Sequence, residues 1–275
     1  MENQPEVSII ILNYKTRGLL RQCLRGIASS GDKISKQIIV VDNASSDGSI
    51  DMLEAEFPEV VIIASPENRG FGAGMNLGLK RATGRYAILL NTDVAIMEKP
   101  FDRLVTFMDQ HPRVGLAGPK LLNPDGSVQY SCYRFHKWYT PILRRSPLGS
   151  LPKLRNHLKK FLMKDFSHNE NLAVDWLLGA FLIVRLQALP QVGYFDERFF
   201  LYFEDVDWCR RFWAKNWAVY YVADVEVVHY HKRESAEIAG FSGIFSYPTR
   251  LHIKSWLRYL AKYSGDKIPV RFNNL

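Results

Sequence analysis

Asn91, Thr92 and Asp93 end the apolar run "YAILL" with three polar side chains in a row. Side chains alternate along an extended chain, so Asn91 and Asp93 point to the same side. Paired oxygens at such a position can hold a divalent cation that bridges two phosphates, and Mg²⁺ or Mn²⁺ suits oxygen ligands. Because the first position is an amide, Asn91 either ligates weakly or forms a hydrogen bond to a sugar or ribose. The alternative is an ordinary polar turn.

Three acids, Glu204, Asp205 and Asp207, are clustered in "FFLYFEDVDWCRR". The dipole of a helix that starts here would favour them without any chemistry. The acids also follow aromatic residues, and a partly apolar pocket raises a carboxyl pKa, which suits a general base. Three acids are more than helix capping requires, so the cluster favours a catalytic role.

A histidine, His229, ends the β-branched run "VEVV" and is followed by His231, Lys232 and Arg233. A lone histidine in this position is usually structural. A histidine that precedes a cationic segment is more typical of a metal ligand beside a loop that neutralises phosphate. The pattern therefore favours His229 as a ligand, with Lys232 and Arg233 near a phosphate.

Two polar turns each leave two interpretations open. Asp42, in "VVDNASSDGS", either caps the next helix or accepts hydrogen bonds from a nucleobase or ribose. In "NRGFGAGMNLG" the glycines let the backbone approach a ligand, although neither GxGxxG spacing nor a GK[ST] ending is present. Arg69 and Asn76 favour a ligand at this turn, and tight packing is the alternative.

The elements that must position these residues form a repeating pattern. Helical stretches of about 10 to 15 residues alternate with short apolar runs at 7–12, 37–41, 60–64, 86–90 and 114–118. This alternation predicts an α/β fold with βαβ units and a mainly parallel sheet. Asn13, Asp42 and Asp93 each end a strand, and open α/β sheets bind ligands at the carboxyl ends of their strands.

The alternation stops after residue 118, where a Pro-Asp-Gly turn predicts a hairpin. We expect one continuous domain with a nucleotide-binding half over 1–118 and a half for the second substrate over 119–246. The second half contains a basic aromatic insertion at 134–168. An amphipathic helix and tail over 247–275 close the chain.

The positive charge is unevenly distributed. The 275-residue chain carries a formal charge of +8, and residues 134–164 contain nine Lys or Arg and no Asp or Glu. Aromatic and aliphatic residues interleave with these cations, and a second basic stretch lies near the end of the chain. The asymmetry predicts an anionic partner: nucleic acid, anionic lipid or a phosphorylated substrate.

Composition excludes several classes. The apolar content of 47% is that of an ordinary globular protein, and no apolar run approaches the ~20 residues of a membrane-spanning helix. An acidic start that enters a strand at once predicts no signal peptide. Three separated cysteines without a CxxC pair predict a reducing compartment and no structural zinc site.

Taken in order, these motifs resemble those of inverting nucleotide-sugar glycosyltransferases of family two, which have the GT-A fold. The resemblance covers about residues 7 to 235 and rests on the ordered set "VSIIILNYK", "VVDNASSDGS", "NRGFGAGMN", "LLNTDV", "GAFLIVR", "GYFDERFFLYFEDVDWCRR" and "VVHYHKRES". The forms "LLNTD" and "FLYFEDVDWCRR" are most similar to a bacterial subgroup described as rhamnosyltransferases, which decorate polysaccharide intermediates.

The resemblance implies roles for the site residues, together with a nucleoside-diphosphate sugar and Mg²⁺ or Mn²⁺. Asp205 would be the general base, with Glu204 as the alternative. Asp93 and His229 would hold the cation. The donor-binding residues would be Asn13, Asp42, Asn68, Arg69, Gly72, Asn76, Asn91, Lys232 and Arg233.

The resemblance also implies a saccharide acceptor carried on polyprenyl diphosphate, at the inner face of the cell membrane. Lys and Arg near anionic lipid contribute about 1 kcal/mol each, and Trp and Tyr favour the interface. The insertion and the helix near 247–263 would then hold a cytoplasmic enzyme against the membrane. A solvated basic surface is the alternative. A nucleic-acid partner is not expected, since it would not explain the acids, and the oligomeric state is left open.

Two other functions compete with this interpretation. A catalytically inactive nucleotide- or carbohydrate-binding module would be expected to lose Asp93 or Asp205, and both are present. A nucleotidyltransferase would usually carry a glycine-rich basic signature near the first strand, and "LNYKTRGLL" lacks one.

Overall fold

A mixed β-sheet forms the centre of the computed structural model, which describes residues 4–144, 146–230, 246–269 and 271. Its strands, together with those of a small second sheet, are β1 Val7–Asn13, β2 Lys36–Asp42, β3 Val61–Ala64, β4 Tyr86–Asn91, β5 Val94–Ala95, β6 Val114–Leu122, β7 Val128–Gln129, β8 Cys132–Tyr133, β9 Leu172–Ala173, β10 Trp176–Leu177, β11 Phe181–Arg185 and β12 Ala218–His229. The main sheet runs in the order β3-β2-β1-β4-β11-β6-β12-β5.

The first half of this sheet is parallel, as the alternating pattern predicts. β1 pairs with β2 and β4, and β2 pairs with β3, all in parallel register. The β-branched residues of β1 and β2 suit a pleated strand that is covered on both faces, and Ile9, Ile10, Ile39 and Val40 are fully buried. The register places Asn13 opposite Asp42, so both strands end at one edge of the sheet.

The second half adds antiparallel strands. β11 lies between β4 and β6 and is antiparallel to both, whereas β12 is parallel to β6. Strand β6 extends to Leu122 and therefore crosses residue 118, where the sequence pattern placed the end of the first half. The expected hairpin is confirmed, because β6 and β7 pair across residues 123–127.

The helices cover the sheet and extend beyond it. They are α1 Arg17–Ser29, α2 Ser49–Glu56, α3 Phe71–Leu79, α4 Pro100–Gln110, α5 Thr140–Arg144, α6 Pro152–Phe161, α7 Leu189–Val192, α8 Glu204–Ala214 and α9 Tyr247–Lys262, with 3₁₀ turns at Pro147–Ser150 and Leu186–Ala188.

Glycines bring α3 very close to β1. A Cβ at Gly74 would lie 2.5 Å from Leu12 Cδ1, and one at Gly78 would lie 2.3 Å from Ile10 Cγ2. A side chain at either position would require Leu12 or Ile10 to shift. At these two positions the glycines therefore allow α3 to pack closely on β1. Tight packing was one of the two roles that the sequence left open for this motif.

The basic insertion contains α5, the first 3₁₀ turn and α6, and the small sheet of β8 and β10 lies beside it in the chain. Among the described residues, no helix has the length and apolar character needed to span a bilayer. Cys23, Cys132 and Cys209 are all buried as free thiols.

Candidate active site

Asn13 organises the turn at the carboxyl end of β1. Its side-chain Nδ2 lies within hydrogen-bond distance of Asp42 Oδ1 (2.8 Å), Ser45 Oγ (2.9 Å) and Ser49 Oγ (2.9 Å). Its Oδ1 accepts a hydrogen bond from Thr16 Oγ1 at 2.8 Å. The Asn13 amide is buried and occupied by protein groups, so it supports the turn from inside, and its predicted donor contact stays a prediction.

Asp42 takes part in the same turn. Its Oδ2 accepts the backbone N–H of Ser45 at 3.0 Å, and its side chain is buried. This contact closes the turn and is not a helix cap, because the carboxylate satisfies a backbone donor three residues along the chain while α2 begins only at Ser49, after Gly48. A contact between Asp42 and a nucleobase or ribose stays a prediction.

The turn at 68–70 is held by Asn43. Asn43 Nδ2 donates to Asn68 Oδ1 at 2.8 Å, and Asn43 Oδ1 accepts from the backbone N–H of Arg69 at 3.1 Å. Arg69 extends outward and pairs with Glu197 at 3.0 Å. About 39% of the Arg69 side chain is exposed, so this cation remains accessible to an anionic ligand.

Asn76 and Gly72 contact another segment of the protein. The Asn76 amide donates to Phe195 O and Glu197 Oε1 at 3.0 and 3.1 Å, and it accepts from Phe195 N at 3.0 Å. A Cβ at Gly72 would lie 3.0 Å from Phe195 Cβ and 3.6 Å from Glu204 Cβ. Both residues thus hold α3 against the segment that leads to the acids, and their predicted donor contacts stay predictions.

Asp93 and His229 meet, as the resemblance implies. Asp93 Oδ1 lies 3.4 Å from His229 Nε2 although the two residues are far apart in the chain. His229 Nδ1 lies 2.6 Å from Gln129 Oε1, and Gln129 donates through its own Nε2 to Asn123 Oδ1 at 3.0 Å. Oε1 is therefore an acceptor, which assigns the ring proton to Nδ1 and the lone pair of the neutral ring to Nε2.

The Asp93–His229 pair fits a cation. In the neutral ring, two electron-rich atoms face each other at 3.4 Å, and Asp93 Oδ1 is buried with no hydrogen-bond partner among the described residues. A proton on Nε2 or a cation bound by both atoms would remove the repulsion. Residues 4–144, 146–230, 246–269 and 271 contain no group of three His, Cys, Asp or Glu side chains placed to hold a metal. The remaining ligands would be phosphate oxygens and water, as is usual for Mg²⁺.

Gln129 is a site residue that the sequence patterns did not identify. It sets the tautomer of His229 from the strand after the Pro-Asp-Gly turn, a hundred positions away in the chain. Partners of metal-binding histidines act in this way, by fixing ring orientation and ligand basicity. The only sequence feature that could have indicated a site role for Gln129 was the predicted hairpin, which brings residues 121 and 129 opposite each other.

Three further residues were predicted to contact the donor near its phosphates: Asn91, Lys232 and Arg233. The Asn91 backbone N–H donates to Ala180 O at 2.9 Å, and its half-buried side chain has no hydrogen bond to any other described residue. The amide is thus available to a ligand beside Asp93. Lys232 and Arg233 lie outside the described residues.

Asp205 is anchored by two backbone donors. Val206 N–H donates to Oδ1 at 2.8 Å and Gly179 N–H donates to Oδ2 at 3.2 Å. Burial raises the pKa of Asp205 to about 6, and these backbone donors oppose the rise. A carboxylate with this pKa is ionised near neutral pH and can still accept a proton.

Gly179 also connects this acid to the end of β4 that precedes Asp93. Its neighbour Ala180 accepts the backbone N–H of Asn91, two residues before Asp93. Asp205 and Asp93 therefore lie at the same edge of the sheet. The motif "GAFLIVR" contained this connection, but its first glycine gave no sign of a site role.

Glu204 differs from its neighbour. Burial, with the adjacent Asp205 as a second cause, raises the pKa of Glu204 well above its usual range. Its Oε2 is buried and has no hydrogen-bond partner among the described residues. Glu204 therefore favours its protonated form, in which it cannot accept another proton.

Asp207, the third acid, is structural. It is fully buried, accepts from Arg211 Nε at 2.9 Å and Tyr263 Oη at 2.7 Å, and pairs with Lys262 Nζ at 2.5 Å. These contacts join α8 to α9. The three clustered acids thus have three different environments.

Two surface cavities lie outside these clusters. One, of about 560 Å³, lies between α4 and the bulge of β12, and neither Asp93 nor Asp205 lines it. The other, of about 570 Å³, opens at the start of α1, beside the turn that Asn13 organises. Neither of these two cavities therefore contains the Asp93 and Asp205 carboxylates.

Comparisons with known proteins match this chain to one family of enzymes. Residues 8–170 match the family model described as Glycosyl transferase family 2. The chain is 30% identical over 243 residues to an N-acetylglucosaminyl-diphospho-decaprenol L-rhamnosyltransferase of Mycobacterium tuberculosis, covering 82% of this chain and 76% of the relative. It is 25% identical over 230 residues to the low-salt glycan biosynthesis hexosyltransferase Agl10 of Haloferax volcanii, covering 82% and 67%.

A solved structure shows the same fold. The structure of GalNAc-T7 with UDP, GalNAc and Mn²⁺ superposes with a TM-score of 0.65 at 13% identity. The match covers 95% of this chain and 48% of that one, so the chain spans about half the length of this structural relative.

Proposed function

The chain belongs to glycosyltransferase family 2 and has the GT-A fold, and from this premise we propose that it transfers a sugar from a nucleoside diphosphate to a saccharide hydroxyl with inversion. The observation that carries the proposal is the arrangement at one edge of the sheet. Asp93 Oδ1 lies 3.4 Å from His229 Nε2, and Asp205 is a carboxylate that two backbone N–H groups anchor and whose pKa burial raises to about 6. A cation site for a diphosphate and a base for a hydroxyl are the two groups that this transfer requires.

The proposed step is a single displacement. The acceptor oxygen forms a bond to the anomeric carbon while the bond from that carbon to the diphosphate oxygen breaks, and its electron pair stays on the diphosphate. Asp205 takes the proton of the acceptor hydroxyl. Attack from the face opposite the leaving group inverts the anomeric centre. A divalent cation held by Asp93 and His229 would supply charge stabilisation to the diphosphate when bound.

We assign rhamnose as the first donor sugar to test and a polyprenyl-diphosphate-linked saccharide as the acceptor. The support is the similarity to the mycobacterial relative, whose name specifies L-rhamnosyl transfer to N-acetylglucosaminyl-diphospho-decaprenol. The predicted nucleotide-binding half, at the carboxyl ends of β1, β2 and β4, is where the nucleoside diphosphate would lie.

A donor screen tests the proposed function directly. Release of nucleoside diphosphate is measured for thymidine, uridine and guanosine diphosphate sugars, each with Mg²⁺ or Mn²⁺ and a polyprenyl-diphosphate saccharide. We expect turnover with a rhamnose donor that depends on the acceptor. If no nucleotide sugar in the set is either bound or consumed, the proposed function is wrong.

Contact with an anionic membrane is part of the proposal. The insertion exposes four large apolar side chains within fourteen positions, and Trp138 is 66% exposed. The four are Trp138, Ile142, Leu148 and Leu151, and exposed Lys and Arg side chains lie before, between and after them in the chain. Helix α9 exposes Ile253 and Leu257 next to Lys254. Apolar and cationic side chains together suit the interface of an anionic bilayer.

Co-sedimentation with vesicles checks this contact. We expect more protein to bind phosphatidylcholine vesicles that contain phosphatidylglycerol than vesicles that lack it, because cations contribute only against anionic lipid. Reversing one charge with Lys160→Glu should weaken binding roughly tenfold. Lys33→Glu, at the amino end of the sheet, is the matched control and should bind as the wild type does. Equal binding to both kinds of vesicle would contradict membrane contact.

A further inference from the structure

The turn that precedes the acids has an unfavourable backbone. Tyr202 and Phe203 both have φ of +69°, in the left-handed region, and neither is glycine. A side chain in this region costs roughly 1–2 kcal/mol per residue. Two such residues in succession persist only where the surrounding protein holds them. Because Phe203 directly precedes α8, this turn sets the direction of Glu204 and Asp205.

The Phe203 ring is enclosed by two elements from distant parts of the chain. His136 of the insertion lies 4.9 Å away between ring centroids. On α9, His252 lies at 5.2 Å and Tyr259 at 5.4 Å. Phe203 is only 3% exposed. The ring is therefore the point at which the insertion and α9 meet the segment that carries the acids.

One face of α9 continues this contact along the segment. Its residues recur at spacings of three and four, so they lie on a single side of the helix. Five residues on this side contact residues 196–207. Ser255 Oγ donates to Leu201 O at 2.8 Å, and Arg258 donates to Arg198 O. Tyr259 packs on Phe203, Lys262 Nζ contacts Asp196 Oδ2 at 2.6 Å, and Tyr263 Oη donates to Asp207 Oδ1. The inner face of α9 thus supports the whole segment.

The glycine-rich turn holds the same segment from the other side. Phe71 N–H donates to Phe200 O at 2.8 Å, and Gly70 lies so close that a Cβ there would be 2.1 Å from Phe200 O. Gly70 also has a φ of +84°, which favours glycine. The segment before the acids is therefore fixed by α3 on one side and by α9 and the insertion on the other.

We propose that Phe203 is a positioning residue for the base, and that its ring, enclosed by His136, His252 and Tyr259, stabilises the left-handed turn that directs Asp205 toward the acceptor. The inference rests on the proposed function, in which Asp205 takes the acceptor proton. A base that is displaced by about 1 Å can lose about a hundredfold in rate, because the reaction depends on close alignment. The ring packs on His136, His252 and Tyr259, and none of these is assigned to the donor, so its loss should act on the transfer step.

Substitutions at residue 203 separate positioning from simple packing. We expect Phe203→Ala to lower kcat about 10- to 100-fold, while the donor KM and the nucleotide Kd from calorimetry stay within about twofold. Phe203→Gly should retain a higher kcat than Phe203→Ala, since glycine adopts the left-handed conformation without a Cβ penalty. A residue that only fills space would give glycine no advantage. Phe107→Ala is the matched control, because it removes a buried ring of α4 that packs on His111 and Tyr220, and its kcat should be unchanged.

Folding is checked by circular dichroism and melting temperature for each variant. If Phe203→Ala does not fold, Phe203→Leu replaces it, with the same expected loss of kcat because its side chain cannot form the ring contacts. An unchanged kcat in a folded Ala or Leu variant would overturn the inference, as would equal kcat values for Gly and Ala. A wild type without transferase activity, or a fully active Asp205→Asn, would instead overturn the proposed function.

Discussion

Asp205→Asn is expected to lower kcat about a thousandfold, within the 10²–10⁴ range that general-base catalysis contributes. The amide keeps the size of the side chain and loses the ability to take the acceptor proton. The residue lies between the backbone N–H groups of Val206 and Gly179, so its position is defined by the protein before any ligand binds. Transfer to a saccharide acceptor, with donor and metal saturating, is the measurement.

The pH dependence of kcat is a second test of Asp205 as the base. Burial raises the pKa of Asp205 to about 6, so the ionised base is the main form above that pH and is lost as pH falls through it. The wild-type kcat is expected to fall on the acid side with an apparent pKa near 6. In Asp205→Asn the residual rate should lack this limb.

Glu204→Gln is the matched control for the base. Burial raises the pKa of the Glu204 carboxyl well above its usual range and so favours the protonated form, which the neutral amide of glutamine resembles. We expect a loss of kcat of less than about tenfold. Nucleotide binding by calorimetry shows whether each variant keeps its donor site. If Glu204→Gln proves more damaging than Asp205→Asn, the two acids have been assigned the wrong way round.

Asp93→Asn is the second substitution with a large expected effect, and it acts on cation binding. In the wild type, Asp93 Oδ1 and the lone pair of His229 Nε2 face each other at 3.4 Å. An amide nitrogen at this position could donate to Nε2, and the substitution would remove one negative charge from the site. We expect Mn²⁺ binding in the presence of nucleoside diphosphate to weaken at least tenfold, and kcat to fall about a hundredfold.

Metal titration by calorimetry or by Mn²⁺ electron paramagnetic resonance checks this prediction, with and without nucleoside diphosphate. The wild type should bind Mn²⁺ weakly when nucleotide is absent, because Asn91 places a neutral amide beside Asp93 and phosphate oxygens must complete the site. Tight binding to the nucleotide-free protein would contradict this account of Asn91.

Two further variants test whether the effect on Mn²⁺ binding is specific to this site. Gln129→Leu leaves both ligands in place but removes the partner of His229 Nδ1, and partners of this kind typically contribute 10- to 100-fold in metal affinity. Asp51→Asn, at an exposed position on α2, removes one negative charge elsewhere and should leave binding unchanged. If Asp93→Asn binds Mn²⁺ as the wild type does, Asp93 is not a ligand.

The sheet and its polar edge could be predicted from the sequence because both depend on local patterns. Apolar runs such as Val7–Asn13 and Tyr86–Asn91 suit only buried strands, and polar residues mark where each strand ends. Parallel strands joined by helices bring those ends to one edge, so Asn13, Asp42 and Asp93 could be placed there without any structure. The meeting of Asp93 with His229 followed only from the family resemblance.

The role of each side chain depended on tertiary structure, because burial and hydrogen-bond partners come from distant parts of the chain. The pattern of acids left Asp205 and Glu204 as alternatives, and only their different environments separate them. The sequence also did not reveal the role of Asn76 or of α9. Asn76 lies in a glycine-rich motif and α9 is a basic amphipathic helix, and neither pattern indicates that both hold the segment before the acids. The sequence by itself determined the fold and which residues carry charge at its edge; contacts between distant residues decided what each of them can do.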